Sequence, residues 1–155
     1  MNAEDRQGEP AEHARFAAWL ADLEQVADAD EFELVGRVLA DPDQVMARAA
    51  VVRHLDRRAA ELCPGTAWEE WAAAMDRAVT AHPFLTRRLR EWSLFRAVTL
   101  RLPWDADELL ASSDWLQLKA AAGPAPEALG VLADRGRTKR IRTTARAGLT
   151  RRGGG

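Results

Sequence analysis

Tyrosine is absent, cysteine occurs once, at Cys63, and only two of the 22 basic side chains are lysine. One cysteine excludes an internal disulfide and any zinc site built from several thiolates. It also fits a reducing, cytoplasmic setting. No run of about 18 apolar residues occurs, so no membrane-spanning helix is expected. The opening MNAEDRQGEPAEHA is acidic and polar, the opposite of a signal peptide. No segment alternates apolar and polar residues as a half-buried strand does. The chain also lacks H-E-x-x-H, G-x-S-x-G and any phosphate-cradling glycine loop.

Alanine, leucine, arginine and glutamate fill the space these absences leave, a composition that favours helix. With 155 residues the chain can bury a real core. The expected layout is a disordered leader over 1–9, a single α-helical domain over 10–152 and a flexible tail over 153–155. The first helix is expected from Pro10 or Ala11 to Ala27, with Phe16, Trp19, Leu20, Leu23 and Val26 on one face. Asp30 is placed to cap the second, and Asp41-Pro42 to open the third, which buries Val45, Met46, Ala49, Val52 and Leu55. Thr66-Ala67-Trp68-Glu69 reads as a capping box for the fourth. The fifth, Pro83 to Leu102, carries Phe84, Leu85, Leu89, Trp92, Phe95, Thr99 and Leu102 in one arc and is expected at the centre of the core. Asp105 and then Ser112 or Ser113 cap two short helices. Pro126 opens the next, which stops at Gly136, and the last helix starts near Thr138 with Ile141, Ala145 and Leu149 as its stripe.

Charge is unevenly spread. Residues 1–64 carry 7 basic and 14 acidic side chains, residues 65–134 carry 7 and 10, and residues 135–155 carry 8 and none. A basic end behind an acidic front suggests an anionic partner for the end, or docking on the acidic helices of this chain or of a second copy. Codon supply in a genome rich in G and C also raises arginine without any binding role.

One frame recurs along the chain. It is hydrophobic-Arg with a small residue and a leucine at helical spacing: Ile141-Arg142, Ala145, Leu149 at the end, and Leu118-Lys119, Ala122 before it. The third helix has Ala47-Arg48, Val51, Leu55, preceded by Leu39-Ala40-Asp41-Pro42-Asp43. The small residue lets helices approach and the apolar residues fill the seam. The pattern resembles the HEAT-like (armadillo-type) helical repeats, over the third helix and residues 113–150. That resemblance implies antiparallel helical hairpins stacked as a short array, and a surface that binds another protein along the stack. Residues 66–102 lack the frame, and an irregular α-helical bundle is the other architecture open to an all-α chain.

His13, His54 and His82 stand apart with no ligand spacing among them. Cys63 ends a helix, where the dipole disfavours a thiolate. The acidic clusters Asp28-Asp30-Glu31, Asp41-Asp43 and Asp105-Asp107-Glu108 all precede helices, where capping accounts for them. No catalytic residue, metal or cofactor is therefore expected. The candidate binding residues are a basic ledge, Arg135, Arg137, Lys139, Arg140, Arg142 and Arg146, and a second ledge, Arg87, Arg90 and Arg101. Trp68 and Trp104, at helix starts, are candidate exposed anchors for a partner. A protein-binding adaptor is the leading expectation, and binding of nucleic acid or another polyanion is the alternative.

Overall fold

The structure is a computed structural model that describes residues 5–154. Of the expected leader, residues 1–4 lie outside the described residues, as does residue 155 of the expected tail. Among the described residues the chain is all-helical, as expected. The α-helices are α1 (Asp5–Gln25), α2 (Glu31–Leu39), α3 (Gln44–Leu62), α4 (Trp68–Val79) and α5 (Pro83–Thr99). They continue as α6 (Ala106–Ala111), α7 (Asp114–Ala121), α8 (Pro126–Arg135) and α9 (Lys139–Gly153), with one 3-10 turn at Asp28–Asp30. None of them is long and apolar enough to cross a membrane.

Several helix starts follow the caps written in the sequence. Asp105 accepts from the Asp107 amide, Ser113 from that of Leu116 and Thr138 from that of Ile141. Pro126 takes the first position of α8, where its missing N–H costs nothing. Other starts differ. The cap of α3 is Asp43, whose side chain accepts from Met46, so Asp41 and Pro42 precede the helix. Asp41 instead accepts from the Asp43 amide, from Trp19 Nε1 and from Arg15. The Trp19 and Asp43 donors hold its carboxyl below the usual range. The Thr66 capping box does not form: α4 begins at Trp68, and its N-cap residue is Ala67, whose side chain makes no capping hydrogen bond.

The helices group into two compact units, residues 1–89 and 90–155. In the first, Leu23, Leu34, Val35, Val38, Val51, Leu55, Met75 and Leu85 are buried. The inward face of α3 is Ala47, Ala50, Val51 and Leu55, whereas Val45 is 73% exposed and Ala49 is also outside. At about 100° per residue that face lies roughly 150° around the helix from the expected one, the two sharing only Met46 and Leu55, which are buried as expected. Both stripes are apolar, and a long-range polar contact selects between them.

That contact is a buried carboxylate. Glu31, at the first turn of α2, is 1% exposed. It accepts from His54 Nε2 at 2.7 Å, from Arg58 Nε at 3.1 Å and Nη2 at 3.3 Å, and from Trp71 Nε1 at 3.1 Å. Donors from α3 and α4 thus converge on one group of α2. Arg57 Nη2, which can only donate, meets His54 Nδ1 at 3.0 Å, so Nδ1 is the acceptor and Nε2 carries the proton. Burial alone would push the Glu31 carboxyl up. The hydrogen bonds from His54, Arg58 and Trp71, with the charge of Arg58, outweigh it and bring the group to about 2.

In the second unit the core is Leu94, Val98, Leu109, Leu116, Leu129, Leu132 and Ile141, with small residues Ala120, Ala121, Ala128, Ala133 and Ala145 at the seams. A Cβ on Gly148 would meet Leu129 Cδ1 at 3.2 Å, which shows how closely α9 approaches α8. Trp92 packs edge-on against Phe95 and Trp115, and the Lys119 ammonium lies 4.8 Å from the centres of both the Trp92 and Phe95 rings.

Glu31→Gln is expected to cost about 3 kcal/mol near neutral pH, because it leaves buried cationic and N–H donors short of charge. The folded pKa of Glu31 lies below its unfolded value, so its stabilisation is fully present above about 4.5 and is lost as pH falls towards 2. Urea unfolding of wild type and variant from pH 7 down to 3 should show the gap narrowing below about 4.5. A gap that stays constant would contradict the role given to this carboxylate.

Candidate functional site

Helix α5 does not run to Leu102 as its periodicity suggests. It ends at Thr99 because Arg101 adopts φ 59°, the left-handed region. The Leu102 amide then reaches back to the Ala97 carbonyl at 2.9 Å and that of Leu100 bonds Arg96 at 2.8 Å. This is a Schellman ending, with arginine at the position that usually holds glycine, and Pro103 follows to prevent continuation. The turn leaves Leu100 at 38% and Leu102 at 40% exposure.

Beside that turn is a cavity of about 220 Å³ lined by Val98, Arg101, Leu102, Trp104, Ala125, Pro126 and Glu127. It opens into a shallower depression that adds Pro103, Ala106 and Val131. The lining is mixed: Val98, Leu102 and the half-buried Trp104 supply apolar surface beside the polar groups of Arg101 and Glu127, and the half-buried Val131 lines the depression. The rim holds one cation and one anion, Arg101 and Glu127, both exposed and without an ion pair among the described residues.

Of the two candidate anchors, Trp104 faces this groove. Trp68 is 3% exposed and packs against Trp71 with ring centres 5.5 Å apart, so it is a core residue. The second basic ledge is broken: Arg87 and Arg90 are exposed on α5, but Arg101 lies past the helix end, off the arc it was expected to share.

The first ledge divides as well. Arg137 is taken up internally: Nη1 meets Asp114 at 2.6 Å, Nη2 meets the carbonyls of Leu110, at 3.2 Å, and Ser112, and the backbone N–H donates to Gln117 Oε1. Arg142 is half-buried and donates to the Gly136 carbonyl at 2.8 Å. Arg135, Lys139, Arg140 and Arg146 are exposed, and their side chains make no hydrogen bond or ion pair among the described residues. Lys139, Arg140 and Arg142 occupy the first turn of α9, where the helix dipole is positive and each cation costs on the order of 0.5 kcal/mol. No acidic side chain on α9 offsets this.

Gln117 was not visible as a key residue from the sequence. It is fully buried, donates to the carbonyls of Leu110 at 3.0 Å and Ser112 at 3.3 Å, and accepts from the Arg137 amide at 3.0 Å. A second buried acid, Glu91, accepts from the Ser113 amide and hydroxyl. Both brace the turn between α6 and α7. The sequence signal was weak: a lone glutamine in an otherwise apolar stretch.

His54 and Cys63 are buried, and both ring nitrogens of His54 are engaged. No group of three or more His, Cys, Asp or Glu among the described residues could hold a metal. No family model, no curated protein and no solved structure matches the chain.

Left-handed backbone at a non-glycine residue costs about 1–2 kcal/mol, and the greater freedom of glycine in the unfolded chain returns part of any gain. Arg101→Gly should therefore stabilise the protein by up to about 1 kcal/mol, while Arg101→Ala should bring no such gain. Chemical denaturation of the three proteins checks this. A destabilised Arg101→Gly would mean that the guanidinium itself supports the fold.

Proposed function

We propose that the chain is a non-enzymatic adaptor that binds another protein through the groove at the end of α5. The occupant is an apolar side chain of the partner with a carboxylate beside it. The observation that carries this reading is the turn at Arg101. It spends backbone strain, where glycine would spend none, to hold a guanidinium at the rim of a cavity that Val98, Leu102 and Trp104 line, and to leave two leucines exposed. A half-buried tryptophan beside that cavity is the kind of anchor on which interfaces concentrate their energy.

The HEAT-like reading of the helices supports the same use. In α3 the frame residues Ala47, Val51 and Leu55 are all buried, and in α9 Ile141 and Ala145 are. In α7 the frame is less inward: Leu118 is half-buried and Ala122 exposed, the buried residues there being Leu116, Gln117, Ala120 and Ala121. Helical repeats bind partners along the surface their stacking creates.

Selection of displayed peptides on the full chain, with Leu102→Asp as counter-selection, tests the proposal. Enriched peptides should share an aromatic or aliphatic residue next to Asp or Glu. They should bind Leu102→Asp at least ~10-fold more weakly, the scale of losing one buried anchor. Arg101→Ala should weaken acidic peptides more than neutral ones. Peptides that bind wild type and Leu102→Asp equally would sink the assignment of this groove.

A further inference from the structure

The groove uses none of α9, whose outer surface has its own organisation. At about 100° per residue, Ile141, Ala145 and Gly148 face the core and the opposite half of the helix is open. Lys139 and Arg146 line one side of that open half, with Arg142 at its edge. Arg140 and Arg151 line the other, about 120° away around the axis. Between the two flanks runs a ridge of small residues, Thr143, Ala147 and Thr150, all exposed. The side chains of Lys139, Arg140, Arg146 and Arg151 make no ion pair or hydrogen bond among the described residues, and no carboxylate lies on the helix.

We infer that α9 is a binding surface for the backbone of double-stranded nucleic acid. A helix with two cationic flanks and a slim ridge matches a groove bounded by two phosphate strands: the ridge faces the floor and each flank meets one strand. The alternatives fit the same residues less well. A membrane-surface helix needs a large apolar face to enter the lipid, and the open half of α9 has only alanine and threonine between its cations. A single-strand binder needs aromatic platforms for its bases, and α9 has no aromatic residue. Without long polar side chains on the ridge, recognition is of the backbone and groove rather than of base sequence.

The test is fluorescence anisotropy of the full chain with a labelled duplex of about 20 base pairs, and with the same single strand, from about 25 to 200 mM salt. The duplex should bind more tightly than the strand, and log K should fall with log salt with a slope near −4, from about four phosphate contacts. Lys139→Ala/Arg146→Ala and Arg140→Ala/Arg151→Ala should each weaken binding at least ~10-fold and reduce the slope by about 2. Thr143→Glu, which places a carboxylate over the groove floor, should weaken it too, while Arg37→Ala on α2 should leave it unchanged. All these positions are exposed, and unchanged thermal melts would establish that the variants are folded. The inference is overturned by no duplex binding at low salt, by flank variants that bind like wild type, or by tighter binding to the single strand. It is equally overturned if anionic phospholipid vesicles, and not the duplex, show the dependence on the two flanks.

Discussion

A carboxylate removed from water has to be met by donors on every side, and in the first compact unit Glu31 imposes that requirement on its surroundings. His54 and Arg58 from α3 and Trp71 from α4 must all reach it at the start of α2. Helix rotation is fixed as a result. Turning α3 so that Val45 faced inward would take His54 away and leave an uncompensated buried charge, at a cost well above that of exposing a valine. Hydrophobic burial supplies most of the stabilisation of this unit, but it does not by itself distinguish two apolar stripes. Arg57, held at the other side of the imidazole, fixes which ring nitrogen bears the proton and so completes the arrangement.

The helices themselves were legible because their signals are local. Asp105, Ser113, Thr138 and Pro126 lie next to the groups they serve, and the prolines and glycines at junctions stop helices by their own geometry. Rotation was less legible, since His54 and Glu31 are 23 positions apart and nothing local pairs them. The end of α5 was hidden for a different reason: arginine rarely takes a left-handed conformation, so the leucine pattern reads straight through Arg101. Trp68 looked peripheral from its neighbours, yet Trp71 one turn later covers it. In the basic ledge, composition identified the charged stretch but not that Arg137 is consumed by carbonyls of another turn.

Charge follows the division into units. Residues 1–89 carry 10 basic and 17 acidic side chains, a net −7, and residues 90–155 carry 12 and 7, a net +5. Within the acidic unit, arginines such as Arg58 and Arg88 are paired with carboxylates. Within the basic unit, Lys139, Arg140, Arg146 and Arg151 of α9 are left to solvent, and the groove takes its rim from one charge of each sign. A near-neutral total therefore conceals two units of opposite net charge.

The Gln117 amide spans two turns, donating to the one between α6 and α7 and accepting from the one between α8 and α9. Neither turn can slip without stranding a buried polar group, so the two are released together or not at all. The Arg137 N–H, although it lies in a loop beside an exposed side chain, is thus sealed by the most buried polar group of its unit. Its exchange with solvent deuterium should therefore fall among the slow amides of the core rather than the fast ones of surface loops. Loop and core, in this half of the molecule, open as one cooperative body.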